Sequence, residues 1–66
     1  MSPEKMVTMA NQIAVFFDSQ PGSAPDRIAD HLKDYWEPRM RDQLKSYLAA
    51  GGTGLRPSVH EAVSRL

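Results

Sequence analysis

The chain has 66 residues, with eight basic and eight acidic side chains and no cysteine, so it encodes one small domain that no disulfide can staple. A domain of this size hides only roughly 60% of the surface its unfolded chain exposes, which makes association with a partner the expected source of added stability. Zero net charge lacks the cation surplus of a nucleic-acid module. No basic segment leads into an apolar run of signal-peptide or membrane-span length, so a soluble, unprocessed protein is expected.

Four helices and no strand are expected. Ser2 and Pro3 supply a capping hydroxyl and a first-turn proline for a helix near residues 3–18. Met6, Met9, Ala10, Ile13, Phe16 and Phe17 recur at three- and four-residue spacing, and Val7 and Ala14 widen that stripe enough to be covered from two sides. The segment SQPGSAP at 19–25 is a turn by composition, and Ser23 with Asp26 resembles a capping box for a second helix near 24–36. Its apolar positions are Ile28, Leu32, Tyr35 and Trp36.

Pro38 disfavours helical geometry at Glu37 and has no N–H for the carbonyl of Asp34, so the second helix is expected to end at Trp36 and a third to begin on Pro38. Met40, Leu44, Tyr47 and Leu48 form the apolar stripe of this third helix, near 38–50. The run AAGGTG stops it, with Gly51 or Gly52 able to take the left-handed C-cap conformation and Gly54 a further structural glycine of the turn. Pro57 opens a short last helix near 57–65, with Val59, Ala62, Val63 and Leu66 inward. The fold class is therefore all-α, a small bundle of three main helices plus a short C-terminal helix, in one domain spanning 1–66. Connections this short are expected to fold consecutive helices back on one another.

Few residues suggest chemistry. His31 and His60 stand on different helices without a second ligand at metal spacing, so no metal site is expected. GGTGLRP lacks both the preceding strand and the Lys-Ser/Thr of a phosphate-cradling loop. No serine has a His and a carboxylate beside it in a pattern that would make it a nucleophile. Neither a catalytic nor a cofactor-binding residue is expected in this chain.

Charge is arranged more suggestively. Residues 1–34 carry three basic and five acidic groups and residues 35–66 carry five and three, which favours either packing of the halves or a complementary partner. Asp26, Asp30 and Asp34 line one face of the second helix; Arg27 and Lys33 can pair with Asp30, or the acids, Asp30 and Asp34 above all, form a docking stripe. Arg39 and Arg41 flank the stripe begun by Met40. Arg41 has Glu37 as a partner if helical geometry runs through the proline, whereas Arg39 has none evident. Trp36 is expected as a core residue, with a tryptophan–arginine contact patch formed by Trp36, Arg39, Met40 and Arg41 as the alternative.

The segments MANQIAVFF, IADHLKDYWEPRMRDQL and AAGGTGLRPSVHEAV, collinear from about Glu4 to Leu66, resemble the delta subunit of the soluble, molybdenum-containing, NAD-dependent formate dehydrogenase of bacteria. The resemblance implies a small accessory subunit of a cytoplasmic enzyme that oxidises formate and passes electrons to NAD. It implies that the molybdenum pterin cofactor, iron–sulfur clusters and FMN belong to the larger subunits, with the catalytic alpha subunit and its companions as partners. Two other roles stay open: a transient assembly or maturation chaperone of the catalytic subunit, and a self-associating helical interaction domain.

Overall fold

Four of the five prolines stand in the first turn of a helix, where a missing N–H breaks no hydrogen bond. In the computed structural model, which describes all 66 residues, the helices are α1, Pro3–Asp18; α2, Ala24–Tyr35; α3, Pro38–Ala49; and α4, Pro57–Val63. There is no strand. The starts coincide with the expected ones, and the ends differ by at most two residues. The Ser2 and Ser23 hydroxyls accept from the backbone N–H of Lys5 and Asp26, at 3.2 and 3.4 Å. Trp36 and Glu37 are both extended, with ψ 136° and 151°, so the chain turns a corner between α2 and α3 where Pro38 requires it.

Met6, Ala10 and Ala14 from α1, Ile28, Ala29, Leu32 and Trp36 from α2 and its end, Leu44 from α3, and Leu55, Val59 and Ala62 from α4 and its approach form one buried cluster. As the broad stripe of α1 required, that helix is covered from two sides, by α2 and by α4. Two expected core positions lie outside: Phe16 is 58% exposed and Tyr35 75%. Both sit at the edge of their stripes.

The chain does not simply fold back helix by helix. The broadest contact joins α2 to α4, which are not consecutive, while α2 and α3 touch little beyond their corner. The short last helix therefore occupies the middle of the core, with Val59 and Ala62 fully buried. Its placement is fixed by polar groups of α1. The Asn11 side-chain amide donates to the carbonyl of Gly54 at 2.8 Å, and its oxygen accepts from the backbone N–H of Arg56 at 3.0 Å. At the last residue of α1, Asp18 accepts from Arg56 Nε and Ser58 Oγ, both at 3.0 Å. An acid at the C-terminal end of its own helix is poorly placed for that helix, but here it faces the first turn of α4, where negative charge is favoured. The Tyr47 hydroxyl donates to the Thr53 carbonyl at 2.6 Å, and Arg65 Nε reaches Asp26 Oδ1 at 2.8 Å.

The glycine turn completes this return. Gly51 N–H donates to the Leu48 carbonyl and Gly52 N–H to the Tyr47 carbonyl, each at 3.0 Å, the paired bonds of a Schellman stop. Gly52 is buried with φ +64°, and a Cβ there would stand 2.6 Å from His60 Cε1 and 2.8 Å from Leu48 Cδ2. Gly52→Ala is accordingly expected to cost about 1–3 kcal/mol through the left-handed backbone, with the displaced His60 and Leu48 adding to it. Urea unfolding checks this; stability within about 0.5 kcal/mol of the parent chain would contradict it.

Candidate functional site

The corner between α2 and α3 gathers the residues singled out as contact candidates, and their environments differ. Trp36 is 6% exposed and belongs to the core. Met40 is half-buried against the same cluster. Arg41 turns back over the end of α2, where its Nη1 donates to the carbonyls of Trp36 at 2.7 Å, Lys33 at 3.1 Å and Leu32 at 3.4 Å. The Leu32 carbonyl also accepts from the Trp36 N–H, but the Lys33 and Trp36 carbonyls lie at the helix end, where backbone acceptors lack intrahelical donors and the helix dipole favours a cation. The conditional Glu37–Arg41 ion pair, which required helical geometry through Pro38, does not form. Glu37 is extended, so four-residue helical spacing does not bring it onto the face that Arg41 occupies. Arg39 is exposed and makes no hydrogen bond or ion pair.

The acidic line of α2 is split. Asp26 pairs with Arg65, two residues beyond the end of α4, while Asp30 and Asp34 are exposed and have no cation within 4 Å. Neither of the expected pairings with Asp30 forms. Arg27 lies instead over the turn, close enough that a Cβ on Gly22 would meet its Nη2 at 3.1 Å.

An apolar feature that the sequence reading had assigned to the core lies beside these acids. Gln12, Ile13, Phe16 and Phe17 of α1 and His31 of α2 line an open groove of about 340 Å³. Phe16 meets Phe17 edge to face at 5.1 Å between ring centroids, Phe17 meets His31 at 6.0 Å, and His31 stacks on Tyr35 at 4.7 Å. The aromatic rings thus run as a continuous series from the exposed side of one helix to the exposed end of the next. Val15, 53% exposed, stands on α1 one residue before Phe16, outside the groove lining. The signal was present in the stripe of α1: eight apolar residues are more than one side of a 16-residue helix can bury in so small a core.

No three His, Cys, Asp or Glu side chains converge as metal ligands. With no cysteine in the chain and its two histidines on separate helices, the donor set does not fit an iron–sulfur cluster. The arrangement offers apolar and charged surface for another macromolecule.

The model of one protein family, described as NADH-dependent formate dehydrogenase delta subunit FdsD, matches residues 5–63. No curated protein matches the chain. The matched span takes in both the aromatic groove and the corner at Trp36.

The two arginines of the corner are expected to separate in a stability measurement. Arg41→Ala removes the cation from the end of α2 and is expected to cost about 1–2 kcal/mol. Arg39→Ala is expected to fall within about 0.5 kcal/mol of the parent. Chemical denaturation of both variants checks the assignment, and equal losses would contradict it.

Proposed function

The chain belongs to the delta-subunit family of NADH-dependent formate dehydrogenase, and from that membership we propose that it is a small, non-catalytic accessory subunit that supports assembly or stability of the enzyme complex. The observation that carries this reading is the family match over nearly the whole chain. Its physical complement is the use made of the polar side chains: Asn11, Asp18, Tyr47 and Arg41 all serve caps and clamps within the fold. The molybdenum, iron–sulfur, flavin and NAD chemistry then resides in the larger subunits, with the catalytic alpha subunit as the principal partner. A cytoplasmic location goes with this role, and no helix is long and apolar enough to cross a membrane.

In this reading Arg39, Asp30 and Asp34 contribute the charged part of the contact, because each is exposed and unpaired in the isolated chain. Trp36, Met40 and Arg41 support it from beneath by holding the corner that presents Arg39. A guanidinium suits such a contact, since its planar fork can hold a carboxylate through two hydrogen bonds.

Copurification at one chain per alpha subunit is the expected outcome for a permanent accessory subunit. Release of the chain once the cofactors are in place would favour the chaperone reading instead. Arg39→Ala is expected to weaken binding to the complex by about 2 kcal/mol or more without loss of helical content, because the carboxylate it meets would be left unpaired. Parent-like affinity would remove Arg39 from the contact.

A further inference from the structure

The outer face of α1 is unusual for a helix next to water. From Met6 through Phe17 the sequence carries no charged residue, although exposed helix faces are ordinarily charged or strongly polar. The neighbouring α2 places Asp26, Arg27, Asp30, Lys33 and Asp34 within a shorter span. Against this charge-free stretch stand the exposed Val15 and Phe16, and across the groove the exposed Tyr35 stacked on His31. Absence of charge, enrichment in aromatics and a rim of unpaired charge together are the composition of an interface centre and its border.

The shape narrows what can occupy it. Gln12 and Phe16 are four residues apart on the α1 wall, which rises by about 6 Å between them, and the α2 wall is His31 with Tyr35 stacked behind it. Walls with that spacing accept another helix whose apolar side chains recur every three or four residues. The groove is open and has only Gln12 and His31 as polar lining, which does not suit an enclosed small-molecule site with several convergent polar groups. On the α2 side, Asp30 and Asp34 present uncompensated negative charge. A second copy laid groove to groove would bring the same acids of α2 toward one another, with only Arg27 and Lys33 of α2 as cations, whereas membership in a family of enzyme subunits points to a larger subunit as the occupant.

We propose that the groove between α1 and α2 docks an amphipathic helix of a larger formate dehydrogenase subunit, one with apolar or aromatic side chains at three- and four-residue spacing and lysine or arginine on the flank that faces Asp30 and Asp34. This rests on the accessory-subunit reading and assigns to it a surface and a partner chemistry. Phe16 is the central contact; its ring is already held edge-on by Phe17 and loses little freedom on binding.

The test is binding of the full chain and its variants to formate dehydrogenase assembled without it, with helical content and melting followed in parallel. Phe16→Glu is expected to lower affinity at least ~30-fold, and Val15→Glu to lower it in the same direction. Both should melt as the parent does, because the two side chains are exposed. The double variant Asp30→Lys with Asp34→Lys is expected to lose affinity more at low than at high salt. Parent-like affinity of Phe16→Glu and Val15→Glu, with the unaltered chain binding stoichiometrically, would overturn the groove while leaving the accessory role standing. If those variants instead disrupt self-association of the isolated chain and leave binding to the enzyme unchanged, the occupant is a second copy and the proposal is wrong. Failure of the unaltered chain to bind the enzyme would overturn both.

Discussion

Placement of α4 is the constraint on which the rest of the structure depends. Seven residues cannot hold a helix by themselves in water, yet Val59 and Ala62 of this helix are fully buried and it makes the broadest contact with α2. Asn11 supplies the decisive polar contact, because one amide satisfies a carbonyl and an N–H of the approach segment at once. Asp18 then steadies the first turn of α4 from the end of α1. Without this clamp the chain would have only three helices for its core, and α2 would lose the neighbour against which most of its buried side is packed.

Filling the core in this way determines what is left outside. Since α4 covers one flank of α1 and α2 covers the other, the broad apolar stripe is consumed from Met6 to Ala14, but its outer edge at Phe16 has nothing over it. The same partition acts on charge. Asp18 and Asp26 are drawn into pairs with α4 and its flanks, and Arg41 into the end of α2. Arg39, Asp30 and Asp34 remain without a partner of their own, as do Arg27, Lys33 and Glu37 near them. For a member of a family of enzyme subunits, these leftover groups are the natural material of a contact, and the proposals for the groove and for Arg39 draw on them alone.

Much of the fold was legible because local rules govern it. Ser2-Pro3, Ser23 with Asp26, Pro38 and Pro57 mark helix starts by capping and by the fixed proline backbone, and Gly51 and Gly52 mark a stop. The long-range pairings were not legible, since Asn11 meets its partners 43 and 45 residues away and nothing in its own neighbourhood announces them. Leu55 and Gly52 were missed as buried positions for the same reason: they lie in a turn, where periodicity has no meaning. At the candidate site, the expectation for Trp36 followed from size and hydrophobicity. Arg41 escaped because its acceptors are backbone carbonyls, which have no sequence signature. Phe16 and Tyr35 were placed inward by their stripes, since periodicity gives a face but not how far the neighbouring helix extends over it.

The central claim is that the surface left uncovered between α1 and α2 is where the chain meets its enzyme, while the α4 clamp serves the fold alone. Amide hydrogen exchange, measured on the isolated chain and on the chain in the assembled formate dehydrogenase, tests this most directly. Added protection is expected in segments 12–17 and 31–39, with little change across 54–62, which are already held within the fold. Protection concentrated on 54–62, with 12–17 exchanging as in the isolated chain, would contradict the account.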